Sequence, residues 1–282
     1  MYKDNLEKAY KYIRSKISQK PILGIILGTG LNNIISDFHS EISISFSEIP
    51  NFPKPTIKEH QGIFEFGTYK GEPIVIQKGR IHFYEGYDIE EVTCTINIMS
   101  MLGVKTLIIT NSAGAISESI NVGDIVLIRD HISSLFPNPL RMTKNNTISF
   151  LDTNNIYDLG LRKKILNNLI DLSFNVKTGI YLQTIGPNFE TPAEINAFKI
   201  LGADIVGMST ACEATVAANL GIKVIGISFV SNKAAGLTTS AISFEEVLLN
   251  TQKNFTYYSE FIKTIIPFVL KECVYENTAL QR

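Results

Sequence analysis

The chain has 282 residues, of which 45% are hydrophobic and 19% charged, with a formal net charge of −1. That is enough apolar material for one large α/β domain or two smaller ones, and it excludes the basic excess that a nucleic-acid or anionic-membrane surface needs. Three scattered cysteines, Cys94, Cys212 and Cys273, exclude a disulfide framework or a cysteine zinc site and point to a reducing, cytoplasmic compartment; Met1–Glu7 lacks the apolar stretch of a signal peptide, and no uncharged apolar run approaches the ~20 residues of a membrane span.

Leu6, Ala9, Tyr10, Ile13 and Ile17 recur at helical spacing, so the first element is an amphipathic helix, stopped by Pro21. Ile22–Leu27 is a short, fully apolar run of the kind found in central parallel strands, and it ends in Gly28-Thr29-Gly30-Leu31-Asn32. Two glycines there let backbone N–H groups approach an anion. A dinucleotide fingerprint needs a third glycine where Asn33 stands, and an ordinary strand-to-helix turn is the plain alternative. Pro50, Pro53 and Pro55 make 46–62 a loop, with His60 at its end. Phe64–Tyr69 and Pro73–Gln77 then read as strands turning at Gly71. Beyond them Arg80, His82 and Tyr84 stand two apart. In extended backbone such residues face one side, which brings a guanidinium, an imidazole and a phenol together. The first two donate to phosphate oxygens; a solvated strand end with polar residues is the alternative. Residues 90–102 read as a helix.

Thr106–Thr110 is the next buried strand and runs into the small residues Asn111–Ala115. Asp124–Asp130 is another, followed by His131. Residues 133–155 are polar and irregular, and a loop of that length is functional or disordered. A helix around Leu161–Ile170 precedes the strand Lys177–Thr184. Pro192 suits the first turn of a helix over Ala193–Leu201, which leaves Phe189 and Glu190 at a strand-to-helix mouth. There they can stack on a flat ring and accept its N–H groups; alternatively Glu190 complements the helix dipole. Ala203–Met208 is a strand, Ser209 and Thr210 form the turn before a helix over Cys212–Asn219, and Lys223–Val230 is a strand ending in Ser231-Asn232-Lys233. Phe244–Leu249 and Phe255–Cys273 read as helices, the second broken or kinked at Pro267. The alternation predicts a single α/β domain over 1–282, with a mixed, mainly parallel central sheet flanked by helices. In such sheets ligands collect at the carboxyl ends of strands. The four histidines and the carboxylates show no metal-ligand spacing.

Six stretches, from Gly28-Thr29-Gly30-Leu31 through Gly79-Arg80-x-His82-x-Tyr84-Glu85-Gly86, Thr110-Asn111-Ser112-Ala113-Gly114, Gly186-Pro187-x-Phe189-Glu190-Thr191 and Gly202-Ala203-Asp204-x-Val206-Gly207-Met208-Ser209-Thr210 to Ser231-Asn232-Lys233, resemble in identity and order the motifs of the trimeric purine nucleoside phosphorylases, a family that includes the methylthioadenosine phosphorylases. The resemblance runs from about Ile22 to about Leu249. It implies phosphorolysis of purine (deoxy)ribonucleosides to free base and (deoxy)ribose 1-phosphate in purine salvage, by a homotrimer, with inorganic phosphate as co-substrate and neither cofactor nor metal. Phosphate is then held by Thr29, Arg80, His82, Ser209 and the backbone N–H of Ser112, with His60 close by. The purine is read by Glu190 and Asn232 and flanked by Phe189; the ribose lies against Tyr84 and Met208, near Phe244. A loop aromatic from a neighbouring subunit closes the sugar pocket, and Phe150 is the match. Asn232, Glu190 and His82 carry the catalytic roles. Adenine-preferring members have Asp where Asn232 stands, so the resemblance favours 6-oxopurines such as inosine and guanosine. The family's usual His is replaced by Phe244, which leaves two readings: a 5′-hydroxyl bonded to water, or an apolar 5′ substituent, as in 5′-methylthioinosine. Two other classes remain as alternatives: a non-catalytic nucleoside-binding protein, and a dinucleotide-dependent oxidoreductase resting on Gly28-x-Gly30 alone.

Overall fold

The computed structural model describes residues 2–35, 37–141, 150–170, 172–238 and 241–280. Helix α1 (Tyr2–Lys16) leads into β1 (Leu23–Leu27), β2 (Phe38–Ser45), β3 (Ile63–Tyr69) and β4 (Glu72–Lys78), and then into α2 (Ile89–Val92) and α3 (Cys94–Leu102). There follow β5 (Thr106–Ala115), β6 (Ile125–Ile132), α4 (Leu159–Asn168), β7 (Val176–Gln183), α5 (Pro192–Ile200), β8 (Ile205–Gly207), α6 (Ala211–Asn219), β9 (Lys223–Lys233), α7 (Phe244–Lys253) and α8 (Phe255–Leu280).

The strands form one nine-stranded sheet in the order β2-β3-β4-β1-β5-β8-β7-β6-β9, and β9 pairs again with β5. Strands β5, β8, β7, β6 and β9 therefore close into a ring, and β1, β4, β3 and β2 extend from it as an open wing. Strand β1 runs parallel to β4 and β5, β5 to β9, β6 to β7, and β7 to β8. The remaining pairings are antiparallel. The mixed, mainly parallel α/β architecture expected from the alternation of elements is the one observed.

Alternation within the central strands divides the core. In β1, Ile26 packs with α1, α3 and α6 through Ile13, Met99 and Ala214. Its neighbours Leu23, Ile25 and Leu27 pack on the other face with Leu161, Ile165, Phe261 and Ile265 of α4 and α8. Both faces are covered, which is why the strand reads as a continuous apolar run.

Several elements differ from expectation for identifiable reasons. Strand β2 is a half-exposed edge strand, and its mixture of serine, glutamate and isoleucine has the composition of a loop. Strands β5 and β9 continue through Asn111–Ala115 and Ser231–Lys233 because each supplies the other's ladder. The helix expected over 90–102 divides at Thr93. Helix α8 does not break at Pro267: Phe261, Ile262, Ile265, Ile266, Val269 and Leu270 are all buried, and that packing outweighs one missing backbone bond. Of the long loop at 133–155, Phe136 is buried against Phe83, with ring centroids 5.2 Å apart; residues 142–149 lie outside the described residues.

The end of β1 lies directly on β5. A Cβ on Gly28 would stand 2.8 Å from Asn111 Cα and 2.9 Å from the Thr110 carbonyl oxygen, so no side chain fits without moving backbone. Thr110 locks the junction: its Oγ1 accepts from Gly28 N at 3.0 Å and donates to Ile26 O at 3.0 Å. Gly28→Ala is expected to destabilise the protein by about 1–3 kcal/mol, read as a lower midpoint in urea; an unchanged midpoint would show that the two strands can separate freely.

Candidate active site

The carboxyl ends of β1, β4, β7 and β8 and the C-terminal halves of β5 and β9 surround a cavity of about 290 Å³. Thr29, Arg80, His82, Tyr84, Ser112, Phe189, Glu190, Met208, Ser209, Asn232 and Phe244 all line it. His60 stands behind the wall. Phe150 does not reach the cavity of its own chain and is 95% exposed.

Arg80, His82 and Tyr84 do converge, but not by strand alternation. Strand β4 ends at Lys78. Gly79 then turns at φ 81°, with no room for a side chain because His60 Cα lies 2.7 Å from where its Cβ would be. A 3₁₀ turn at Phe83–Glu85 follows, and it stacks the His82 ring on Tyr84 with centroids 4.7 Å apart and planes 12° from parallel.

Arg80 is 2% exposed. Its Nη1 donates to Ser209 Oγ at 2.6 Å and its Nη2 to Thr110 O at 2.7 Å. Its Nε lies 3.6 Å from Glu213 Oε1. His60 Nδ1 accepts from Arg80 N at 3.2 Å. That contact places the ring proton of neutral His60 on Nε2, which stands 3.3 Å from Thr29 Oγ1. Thr29 thus accepts from His60, and its own hydroxyl proton is left to donate into the cavity.

The two histidines are close, with ring centroids 4.8 Å apart. Burial pushes His60 well below the ordinary imidazole range, and repulsion from a protonated His82 or from Arg80 would push it further. Burial also lowers His82, against the opposing effect of its hydrogen bond to Glu85. Burial alone would raise the Glu85 carboxyl, but hydrogen bonds from His82 and Thr56 outweigh it and hold the group at about 2. As an ionised acceptor, Glu85 Oε1 takes His82 N at 2.7 Å and faces His82 Nδ1 at 3.3 Å. The ring proton therefore sits on Nδ1, and neutral His82 offers Nε2 as an acceptor, suited to a protonated oxyanion.

The opposite end of the cavity has different chemistry. Glu190 Oε1 accepts from Thr184 Oγ1 at 2.8 Å, and burial raises the Glu190 carboxyl. Asn232 is fixed by Ser231 Oγ, which donates to its Oδ1 at 2.8 Å, and by its own donation to Lys233 O at 2.9 Å. One amide N–H of Asn232 remains uncommitted. Phe244 and Val247 from the first turn of α7, with Ile57, form an apolar wall.

Nucleophilic thiolate chemistry has no support here: Cys212 is buried beside the site with its thiol pushed up by burial to about 12. Among the described residues no cluster of three or more His, Cys, Asp or Glu is arranged to hold a metal ion, and no helix is long and apolar enough to cross a membrane.

The sequence profile described as Phosphorylase superfamily matches residues 22–267. Purine nucleoside phosphorylase 1 of Geobacillus stearothermophilus is 37% identical over 268 residues, covering 94% of this chain and 98% of that protein. The chain belongs to the purine nucleoside phosphorylase family. Two solved members share its fold. A schistosoma purine nucleoside phosphorylase in complex with hypoxanthine is 33% identical with a TM-score of 0.85, over 93% of this chain and 96% of that one. The Schistosoma mansoni enzyme in complex with inosine is 34% identical with a TM-score of 0.84, over 93% and 95%.

Against that family background, three residues of the site had no role assigned from the sequence: Glu85, which stands in one of the motifs, Thr184 and Glu213. Glu85 and Glu213 sit at ordinary helix-capping positions, and Thr184 follows the end of β7 and bonds Glu190 six residues on, so spacing carries no signal for them. The lowered histidines fix a direction for pH dependence. Their folded pKa values lie below the usual 6.5, so the unfolded chain binds more protons below that value and stability rises with pH up to it. Urea unfolding is expected to show that rise between about pH 5 and 6.5, and a His60→Gln/His82→Gln variant is expected to show a shallower one; an equal slope would mean that the pair is not buried in solution.

Proposed function

We propose that this family member cleaves 6-oxopurine nucleosides, inosine and guanosine with their deoxy forms, by phosphorolysis to free base and (deoxy)ribose 1-phosphate in cytoplasmic purine salvage. The observation that carries the reading is one cavity with two unlike ends: hydroxyls, a guanidinium and an imidazole from Thr29, Ser209, Arg80 and His82 at one, and Glu190 with Asn232 at the other. The first set suits an oxyanion, the second a purine edge.

The chemistry follows from that pairing. As the C1′–N9 bond lengthens, positive charge grows on the ribose and its electron pair moves onto the purine. A phosphate oxygen forms the new bond to C1′, so no protein nucleophile and no cofactor is required. Arg80, Thr29, Ser209, His82 and the Ser112 N–H hold the phosphate, with His60 acting through Thr29. Met208 and Tyr84 seat the ribose. Phe189 flanks the base, Glu190 accepts N1–H, and the free amide N–H of Asn232 donates to the purine edge as it gains charge. Positioning and preorganised dipoles supply the catalysis. Phe150, exposed on its own chain, closes the sugar pocket of a neighbouring subunit in a homotrimer.

Support for the base preference comes from Asn232, because an amide offers a donor that a carboxylate lacks. The schistosoma relatives are described with hypoxanthine, inosine and guanosine, and also with adenosine, so rates rather than occupancy rank the bases. Base release from inosine, guanosine and adenosine, each with and without inorganic phosphate, is the test. Phosphate-dependent release from the first two, with adenosine poor, is expected. Binding with no base released would make the protein a nucleoside-binding module instead. Asn232→Asp is expected to move the inosine-to-adenosine ratio of kcat/KM toward adenosine by about tenfold or more.

A second reading of the substrate rests on the apolar wall of Phe244, Val247 and Ile57, which suits an apolar 5′ substituent. It predicts a higher kcat/KM for 5′-methylthioinosine than for inosine, and Phe244→His lowering that preference; a clear preference for inosine would remove it.

A further inference from the structure

Ser209 and Thr210 join β8 to α6, and Thr210 stands at φ 79°, ψ −56°. A β-branched residue rarely adopts positive φ. Ala211 N donates to Ser209 O at 3.0 Å, which closes a γ-turn of the strained sense. Strain of this kind persists only where surrounding contacts over-determine it. Here Asn111 Nδ2 donates to Thr210 Oγ1 at 2.9 Å, Arg80 Nη1 holds Ser209 Oγ, and Glu213 Oε2 accepts Thr210 N at 3.0 Å. Glu213 is itself 1% exposed.

The second oxygen of Glu213 has a different partner. Oε1 lies 3.6 Å from Arg80 Nε, and neither atom makes a hydrogen bond. An acid at the third position of a helix is an ordinary cap, but a cap needs neither complete burial nor a buried cation at its other oxygen. One carboxylate thus spans the backbone of the strained turn and the rear of the guanidinium, while Ser209 and the front of Arg80 face the cavity.

We propose that Glu213 is a positioning residue for the oxyanion: it fixes Arg80 and the Ser209–Thr210 turn relative to one another and so sets phosphate affinity without touching phosphate. The inference rests on the phosphorolytic reading above. Charge and geometry give opposite signs. By charge alone, removing an anion beside Arg80 would strengthen phosphate binding. By positioning, losing the link would weaken it.

Glu213→Gln keeps the size and an acceptor for Thr210 N but loses the charge facing Arg80. Its KM for phosphate is expected to rise about tenfold or more while its KM for inosine stays within about twofold, the split that separates positioning of one substrate from general damage. Glu213→Asp keeps the charge but is a methylene too short to span both contacts; it is expected to show the same split in smaller degree, and it decides the matter if the Gln variant does not fold. A phosphate KM that is unchanged or lower in the folded variants overturns the inference. Base release without phosphate by the unmodified enzyme would overturn the phosphorolytic reading and this inference with it.

Discussion

A guanidinium cannot leave water without partners, and Arg80 has left it almost completely. A buried cation without acceptors or a counter-charge destabilises a fold severely, and the surrounding elements supply an acceptor to each Nη group and a carboxylate 3.6 Å from Nε. The Thr110 carbonyl, Ser209 hydroxyl and Glu213 carboxylate come from β5, from the turn after β8 and from α6. Three elements remote in sequence are thereby tied to the turn after β4. The result is a cation held rigidly by the protein, with oxygens already in place around it. Electrostatic stabilisation of this kind requires no rearrangement when an anion arrives.

The topology explains why the two ends of the cavity share one space. Closure of β5, β8, β7, β6 and β9 into a ring brings the C-terminal half of β9 beside that of β5. Asn232 then lies over Gly114, where a Cβ would be 3.1 Å from its amide nitrogen. The open wing delivers β1 and β4 on the other side, with Thr29 and Arg80 at their ends. The Asn232 end and the Arg80 end of the cavity are thus carried by two parts of one sheet, and β5 belongs to both.

Much of this was legible in the sequence because its signals are local. Ile22–Leu27 and Thr106–Thr110 are short apolar runs of the kind a doubly covered strand explains, and small or polar residues after them line the cavity. Arg80, His82 and Tyr84 were grouped correctly, yet the alternation invoked for them does not occur; the Gly79 turn and a 3₁₀ turn bring them together instead. What could not be read is long-range. The tautomer of His60 depends on Arg80 N twenty residues away, and the importance of Glu213 depends on a contact with Arg80 across the sheet. Pro267 shows the complementary effect, since the break that a local rule allows does not occur in α8, whose buried face continues past it.

On the phosphorolytic proposal, the Arg80 end of the cavity receives a phosphate that becomes bonded to the sugar. The most direct test follows the reaction of inosine by phosphorus NMR while hypoxanthine is measured by absorbance in the same sample. Each hypoxanthine released is expected to be matched by one inorganic phosphate lost and one ribose 1-phosphate formed. Hypoxanthine released while the phosphate signal stays constant would contradict it, because the sugar would then have been captured by water and the anion site would have another purpose.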